Sequence, residues 1–389
     1  MLFLEQWFWS FAAVAVVGFW LCPPVLRVLW LVGASLVFQW HFAGPAGMAP
    51  VLAALVLTYA AGHAVHGPHG RRVFIGACTL LVGALAFYKY SAFLLHSGAV
   101  LGLPPWMTSW SGPAIPLGIS FFTFEFVHYL YEVRVNGREP VRNPLHFALF
   151  ALFFPSLAAG PIKRYPNFVP QLDALPPLDW EEVSLGLRRI IRGLFKKVCI
   201  ADLLVEFVRA LESVPRHNVG TVAALAVVQG FRIYYDFAGY TDMAIGLAQL
   251  MGLTLPENFD RPYFATSLQD FWRRWHMSLS SWIRDYVYIP LGGNRRHRIP
   301  NLVLAMVLCG LWHGAAWQFA VWGLWHGAGL ALEAGLRRWW PILFAPRLGP
   351  RLLGWATCYA FVTYGWLFFF YPVERVVQMT REALWSFGS

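Results

Sequence analysis

Long apolar runs with few charged residues constrain the fold of this chain more than any other feature. Charged residues make up 13% of the 389 residues, about half of the share that is typical of soluble domains. A helix needs about 20 apolar residues to cross the hydrocarbon core of a membrane, because each residue adds about 1.5 Å. Such runs lie at residues 1–20, 25–43, 49–66, 72–95, 113–133, 145–160, 189–210, 219–250, 301–336 and 351–371, the longer of them open to bending or splitting. The sequence therefore predicts an all-α polytopic integral membrane protein of about ten transmembrane helices, with re-entrant or interfacial helices between them.

The positive charges predict how the chain is oriented. Residues 70–72 and 134–142 are basic, whereas the loop at 96–113 has no Lys, Arg, Asp or Glu. Cytoplasmic loops carry an excess of Lys and Arg, so the first two segments are expected in the cytoplasm and the N-terminus outside. No cleavable signal peptide is expected, because residues 1–5 carry no positive charge. The net charge of +10 is then expected to face anionic membrane lipid.

Nucleic-acid binding is not expected, because no soluble segment interleaves basic residues with aromatic ones.

One membrane domain is expected over residues 1–389, with N-terminal spans at 1–112, a core at 113–336 and a C-terminal span at 337–389. Within that core, two prolines and two basic residues interrupt the apolar segment at 154–164. This segment is therefore predicted to be re-entrant or to lie on the surface.

Polar and ionisable residues become dense between residues 234 and 298, although the apolar and aromatic content stays high. Ionisable groups at membrane depth are costly and tend to face a cavity, a partner charge or water, so a functional site is expected here. On a helix over 270–285, four apolar residues spaced three and four apart form one stripe: Trp272, Trp275, Leu279 and Trp282. His276 follows Trp275 and is expected to point towards the protein interior, whereas the helix as a whole suits the membrane surface.

The pentapeptide Gly-Leu-Trp-His-Gly occurs twice, at 310–314 and 323–327. On a continuous helix, His313 and His326 would lie about 20 Å apart along the axis and about 140° apart around it, so they could not bind one ion. Asp and Glu are absent from 297–332, and the five cysteines form no CxxC pair, so no metal site is expected. The flanking glycines predict close packing of another helix beside each imidazole.

Several longer motifs closely resemble the membrane-bound O-acyltransferase superfamily, and in particular the membrane subunit of bacterial polysaccharide O-acetyltransferases of the alginate type. These motifs are PENFDRPY at 256–263, FWRRWHMSLS at 271–280, WIRDY at 282–286, PLGGNR at 290–295 and GLWHG at 310–314, with FFTFE at 121–125, AGP at 159–161 and DFAGYTDMAIG at 236–246. The resemblance covers about residues 115–335. It implies a many-helix fold with a central funnel or tunnel, located in the bacterial inner membrane. Relatives of this kind commonly continue through further C-terminal spans, which leaves open a short member or missing final helices.

The resemblance also implies site residues. His313 corresponds to the family's characteristic histidine near the middle of the tunnel, and His276 to a second position that is histidine in the bacterial branch. A neutral imidazole is suited to remove the proton of a hydroxyl that attacks a thioester, so both histidines are predicted to be catalytic, with His313 as the base and His276 assisting by hydrogen bonding or by binding the acyl donor or acceptor. His326 is expected to be a packed, hydrogen-bonded neighbour. The predicted substrate-binding residues are Asn258, Trp272, Arg273, Arg274, Trp275, Asp285, Trp312 and His326.

The predicted donor is acetyl-CoA, which basic residues between 273 and 298 would attract; no tightly bound cofactor is expected. Because the chain has no Gly-x-Ser-x-Gly motif, an extracytoplasmic partner of the SGNH-hydrolase-like type is expected, as in relatives, to pass the group to an exported polysaccharide such as alginate or cellulose. Two other hypotheses stay open. One is transfer of D-alanine from a carrier protein to teichoic acid, and the other is a non-enzymatic transporter or channel.

Overall fold

The computed structural model describes residues 5–157 and 160–386. These residues form helices and connecting segments and include no β-strand, so the all-α prediction is confirmed. The helices are α1 Gln6–Leu21, α2 Arg27–Ala64, α3 Gly70–Leu85, α4 Ser91–Ser97, α5 Pro105–Thr108, α6 Ile119–Arg134, α7 Pro144–Leu152, α8 Tyr165–Asp173, α9 Trp180–Leu194, α10 Asp202–Glu212, α11 Val219–Gln249, α12 Leu268–Arg274, α13 Met277–Ile283, α14 Arg298–His313, α15 Trp317–Trp339, α16 Leu348–Phe370 and α17 Val373–Trp385. Short π-helical segments occupy Ala86–Tyr90, Phe195–Ala201 and Arg284–Tyr288, and 3₁₀ turns occupy Pro24–Leu26, Gly98–Leu101, Pro262–Phe264 and Pro341–Phe344.

Three helical stretches of the described chain are long and apolar enough to cross a membrane: Pro24–Ala64, Gly70–Ser97 and Leu348–Phe370. Two shorter apolar helices, Gln6–Leu21 and Arg298–His313, approach that length. The first stretch bends where the sequence places Gly44 before Pro45. Gly44 has φ +62°, a value that glycine adopts without steric cost, so the predicted break between two apolar runs is confirmed.

The run at 145–160 does not form a crossing helix. Helix α7 has 9 residues, which at about 1.5 Å each is too short for a core about 30 Å thick. Residues 153–157 and 160–164 that follow are not helical, as the prolines predict. Ala158 and Ala159, which belong to the motif-bearing part of this segment, lie outside the described residues.

The predicted helix over 270–285 is wrong as a single element. It is broken between α12 and α13, where Trp275 is extended and His276 adopts the left-handed conformation with φ 43° and ψ 55°. The stripe is nevertheless mostly buried, with Trp275 3%, Leu279 1% and Trp282 5% exposed. This stripe therefore faces the protein core, and the break lets the chain change direction at His276.

The region 301–336 is also not one helix. Helix α14 ends at His313 and α15 begins at Trp317, with extended backbone at Gly314 and Ala316. A methyl group at Gly323 would lie 2.4 Å from the Met306 carbonyl oxygen, and one at Gly327 would lie 2.8 Å from the Val303 Cα atom. The two helices are therefore an antiparallel hairpin in which glycines permit close backbone contact. The geometry assumed for His313 and His326 on one continuous helix is wrong, whereas the predicted glycine packing is confirmed.

The described residues divide into two compact units. The first contains the chain up to Arg192 together with Tyr240–Pro256. Its core is rich in phenylalanine, with the fully buried side chains Phe8, Phe19, Phe38, Phe126, Phe147, Phe150, Phe153 and Phe154. Inside this core Lys163 Nζ lies 2.7 Å from both Glu125 Oε1 and Ser156 Oγ. Pairing with hydrogen bonds is the condition under which a charge tolerates such burial.

The second unit contains Gly193–Gly239 and Glu257–Ser389. Its core is built on tryptophan, since Trp322 is 0% and Trp366 1% exposed. Helix α16 packs on α15 through Trp325, whose ring stacks on Phe361 at 4.6 Å between centroids and whose Nε1 donates to the Phe361 carbonyl at 3.1 Å. Both histidines predicted to be catalytic lie in this unit. The predicted partition at residues 112 and 336 stays a prediction.

Candidate active site

His276 and His313, which are far apart in sequence, lie together in the second unit. Their ring centroids are 6.5 Å apart. His313 is the last residue of α14, and His276 occupies the junction before α13. Trp312 lies beside both rings, with its centroid 5.0 Å from His313 and 6.1 Å from His276. The helix breaks that the sequence did not predict therefore bring the two candidate catalytic histidines into one site.

His313 lies among aromatic rings contributed by three helices. Besides Trp312 of its own helix, Trp322 of α15 lies at 5.4 Å and Phe369 of α16 at 5.1 Å between centroids, both edge-on. His313 is half-buried, whereas His276 and His326 are buried. Of the three, His313 is therefore the one that a reactant reaches most readily.

His276 is 2% exposed and is held by Asn258, which is 0% exposed. Asn258 Oδ1 lies 3.3 Å from His276 Nδ1 and 2.6 Å from Ser278 Oγ. Phe237 covers the imidazole edge-on, at 4.5 Å between centroids. Burial, followed by the nearby charge of His313, holds the pKa of His276 well below its ordinary value, so this imidazole is neutral at physiological pH.

A cavity of about 510 Å³ lies near the two histidines, neither of which lines it: Met277, the residue after His276, and Cys309 are part of its wall. Trp272, at the end of α12, forms part of its wall. The rest of its lining comprises one acidic residue and four arginines, an apolar set and an uncharged polar set: Glu333, Arg273, Arg284, Arg298 and Arg337; Met277, Ile283, Leu302, Ala305, Met306, Cys309, Leu330 and Ala334; and Gln269, Ser280, Ser281, Tyr288 and Asn294. Cys309 precedes His313 by four residues on α14 and so lies on the same helical face. The cavity is therefore positively charged, and its apolar lining extends to within one helical turn of His313.

Glu333 connects α15 to the beginning of α12. Its Oε2 atom accepts hydrogen bonds from the backbone N–H groups of Leu268 at 2.6 Å and Gln269 at 3.3 Å. Its Oε1 atom accepts from Arg337 Nε at 2.8 Å. A carboxylate at the first turn of a helix satisfies backbone donors that have no partner within the helix. Glu333 therefore fixes the helix that carries Trp272 and Arg273 into the cavity wall.

His326 is packed as predicted, but the predicted hydrogen bond is not found. It is 0% exposed, and its ring lies 5.1 Å from Trp272 and 4.9 Å from Trp322 between centroids. In the part of the chain that the structure describes, neither ring nitrogen of His326 has a hydrogen-bond partner, and the same is true of Nε1 of Trp272 and Trp322. A buried polar group without a partner costs about 1–3 kcal/mol. Each of these four nitrogen atoms therefore lacks the hydrogen bond that would offset the cost of its burial.

The model of the MBOAT, membrane-bound O-acyltransferase family, matches residues 140–376, more than half of the chain and the whole site. The chain belongs to the membrane-bound O-acyltransferase family.

Three relatives illustrate how far the similarity extends. A probable alginate O-acetylase, AlgI, of Azotobacter vinelandii is 38% identical over 312 residues, 78% of this chain and 61% of that protein. A peptidoglycan O-acetyltransferase of Helicobacter pylori is 32% identical over 384 residues, 89% of this chain and 71% of that protein. A teichoic acid D-alanyltransferase of Bacillus subtilis is 32% identical over 303 residues, 69% of this chain and 75% of that protein. This membrane-bound O-acyltransferase family member thus spans about three fifths of the length of the alginate O-acetylases that it matches.

The other predicted site residues of this family member divide into two groups. Arg273 is exposed and lines the cavity, and Trp275 is a core residue whose ring lies 4.7 Å from Trp366. Arg274 and Asp285 each form an ion pair with a residue other than the two histidines. Arg274 Nε lies 2.9 Å from Asp270 Oδ1, and Asp285 Oδ1 lies 2.7 Å from Arg284 Nε. The hydrogen bond to Asp270 raises the pKa of Arg274. A direct role in binding stays a prediction for each of these residues.

Sequence reasoning missed three residues of the site. Trp322 precedes His326 by four residues, a spacing that places both on one helical face and was available from the sequence. Glu333 lies one residue beyond the stretch 297–332, which has no Asp or Glu, and on the same helical face. Phe369 carried no signal, because it reaches His313 only through the packing of α16. Among the described residues, no group of three or more His, Cys, Asp or Glu is placed to hold a metal ion.

Proposed function

We propose that the chain is an O-acyltransferase that moves an acetyl group from acetyl-CoA, on the cytoplasmic side, towards an exported polysaccharide. The observation that carries this proposal is the cavity of about 510 Å³, whose lining has an arginine part and an apolar part that includes Cys309, about one helical turn before His313. A donor with phosphate groups and an apolar arm that ends in a thioester matches both parts. Family membership supports the same chemistry.

The arginines would bind the phosphate groups of the donor. Arg273 lines the cavity without a salt bridge to any described residue, whereas Arg284 and Arg337 are paired with Asp285 and Glu333. A guanidinium without a carboxylate partner binds phosphate without first losing an ion pair. The pantetheine arm would then follow the apolar lining towards Cys309 and bring the thioester beside His313.

His313 would act as the general base. Its neutral imidazole takes the proton of the acceptor hydroxyl while the hydroxyl oxygen attacks the thioester carbonyl. The tetrahedral intermediate then collapses, the carbon–sulfur bond breaks, and the departing CoA sulfur takes the proton from His313. One ester forms and one thiol is released, so atoms and charge balance.

The negative oxygen of the tetrahedral intermediate needs hydrogen-bond donors. The N–H groups of Trp272 and Trp322 are buried and without partners among the described residues, and Trp322 packs on His313 at 5.4 Å between centroids. Removal of one such donor typically reduces kcat by about 100- to 1000-fold. We assign this role to the two indoles.

The acceptor is proposed from the relatives. Their names include alginate and peptidoglycan as the acetylated polymers, so the acceptor here is a hydroxyl of such a polymer, or of an SGNH-hydrolase-like partner that passes the group on. We further propose a bacterial inner-membrane location, about ten crossings, and a tunnel that joins the two sides of the membrane. The three apolar stretches and family membership support the membrane location, the apolar runs of the sequence support the number of crossings, and the tunnel is proposed from the resemblance to the superfamily.

Radiolabel transfer from acetyl-CoA tests this function. Membranes that contain the wild-type chain and its acceptor polymer should transfer label, and His313→Ala should abolish the transfer at equal protein content. His69→Ala is the matched control, because His69 is an exposed histidine whose side chain does not cap α3. Full transfer by His313→Ala would refute the assignment of the base, and unchanged polymer acetylation in cells that lack the chain would refute the function.

D-alanyl transfer is the second candidate, since this chain covers 75% of the Bacillus subtilis teichoic acid D-alanyltransferase. That reaction uses the same base and the same bond changes with a carrier-bound thioester as donor. Parallel assays with labelled acetyl-CoA and with a D-alanyl carrier protein distinguish the two. Transfer from the carrier alone would replace acetyl-CoA as the donor.

A further inference from the structure

The side-chain amide of Asn258 contacts the ring of His276, and the backbone N–H group of Ser278 sets the orientation of that amide. Asn258 is 0% exposed, and its Oδ1 atom lies 3.4 Å from the backbone nitrogen of Ser278 and 2.6 Å from Ser278 Oγ. A backbone N–H group can only donate, so the amide atom that accepts from it must be the oxygen. Asn258 therefore directs its oxygen, and not its NH₂ group, towards this cluster.

This orientation determines which nitrogen of His276 carries the hydrogen. Oδ1 lies 3.3 Å from His276 Nδ1, and an amide oxygen only accepts, so Nδ1 must be the donor. Nε2 is then the nitrogen with the free lone pair. We propose that Asn258 is a positioning residue that holds His276 in its Nδ1–H tautomer, so that Nε2 serves as a second acceptor beside His313, of a hydrogen bond and not of the proton itself. The second-acceptor role rests on the proposed acyl transfer.

Asn258 also holds the main chain on the C-terminal side of His276. Its carbonyl oxygen accepts from the backbone N–H of Met277 at 2.9 Å. His276 itself has φ 43° and ψ 55°, a left-handed conformation that is uncommon outside glycine and costs about 1–3 kcal/mol. Such a conformation persists only where surrounding contacts fix it. One residue therefore sets both the backbone and the ring of His276, as a positioning role requires.

An amide suits this role because it leaves His276 neutral. Among the described residues, His313 is the titratable group whose charge acts on His276, and the other rings packed on it, Phe237 and Trp312, are uncharged. A carboxylate in place of the amide would favour the imidazolium form. With the amide, a proton on His313 further disfavours a proton on His276. Nε2 of His276 thus keeps its lone pair while His313 holds the proton of the hydroxyl.

The pH profile of Asn258→Asp tests the inference. The carboxylate should raise the pKa of His276, and protonated His276 has no lone pair on Nε2. The acid limb of kcat/KM for acetyl transfer should therefore move to higher pH by about one unit or more. Ser278→Ala is the matched control, because it removes the hydroxyl that shares Oδ1 but keeps the amide, so its acid limb should coincide with that of the wild type. Lower activity of Asn258→Asp with an unmoved acid limb would mean a purely structural role and overturn the proposal.

A second measurement does not depend on activity. In the purified protein with ¹⁵N-labelled histidine, the ring signals of His276 can be assigned by their loss in His276→Asn. We expect a protonated Nδ1 and an unprotonated Nε2. The opposite tautomer would overturn the proposal even in an active enzyme. Absence of acetyl transfer would instead remove the proposed function and the second-acceptor role with it, whereas the NMR signal still reports on Asn258.

Discussion

The contact between α14 and α15 predicts that a single methyl group at Gly323 will disable the site. A Cβ atom there would lie 2.4 Å from the Met306 carbonyl oxygen and 2.7 Å from the Val307 Cα atom. Ordinary contacts between such atoms are about 3.5 Å, so the two helices must separate by about 1 Å. Overpacking of this kind typically costs about 1–3 kcal/mol. Because Trp322 precedes Gly323 and packs on His313, the same displacement separates the proposed base from the proposed oxyanion donor.

We therefore expect Gly323→Ala to lower kcat for acetyl transfer by about 100-fold, the usual effect of a displacement of about 1 Å at a reacting group. Thermal unfolding in detergent should show a lower midpoint. Gly335→Ala is the matched control on the same helix, because a Cβ atom at Gly335 would meet nothing within 4 Å. It should keep full activity and stabilise the helix by about 0.5–1 kcal/mol. A Gly323→Ala protein as active and as stable as Gly335→Ala would refute this account of the hairpin.

Three further predictions concern the site. Trp322→Phe should reduce kcat by about 100-fold with little change in KM, because it removes an oxyanion donor but keeps most of the ring; an unchanged kcat would exclude that role. Arg273→Gln should raise the KM for acetyl-CoA by about 10-fold or more, with a smaller effect at high salt, and an equal KM in both proteins would contradict phosphate binding there. Burial lowers the pKa of His276 below its ordinary 6.5. Below pH 6.5 the imidazole therefore binds a proton in the unfolded protein but not in the folded one, so the free energy of unfolding decreases as the pH falls from 6.5 towards the folded-state pKa. His276→Asn, which tolerates a positive φ, should lose less stability on acidification, and equal losses in unfolding midpoint would refute this contribution.

The all-α fold was predictable from the sequence, whereas the helix ends in the site were not. The break at Gly44 follows from a glycine next to a proline, which is a local signal. The break between Trp275 and His276 has no such signal, because neither residue is a helix breaker. It is stabilised by contacts with Asn258, which lies in a different segment of the chain. Only tertiary contacts of this kind determine that the predicted helix divides into α12 and α13.

The candidate catalytic residues were predictable, but their surroundings were not. His276 and His313 were identified from motifs, and the structure brings their rings to 6.5 Å. The role of Asn258 could not be deduced from sequence, since it depends on which of its atoms faces a backbone N–H group. The lack of a hydrogen-bond partner for the Trp322 indole among the described residues is likewise a property of packing, because a hydrogen bond forms only once the helices are packed together.

The sequence by itself determined the class of environment and the residue types of the site. Each apolar run favours a membrane helix independently of the rest of the chain, because a helix satisfies its backbone hydrogen bonds within one segment. A membrane location and an all-α fold therefore follow from local composition alone. The doubled Gly-Leu-Trp-His-Gly motif likewise specified close helix packing, since glycine permits it wherever the partner helix comes from. Only the tertiary structure decided that the two motifs lie on opposing helices of a hairpin, with Trp322 in contact with both histidines. The reason is physical: the turn after His313 is set by the fit of α14 against α15, and that fit is a property of two surfaces rather than of either sequence segment.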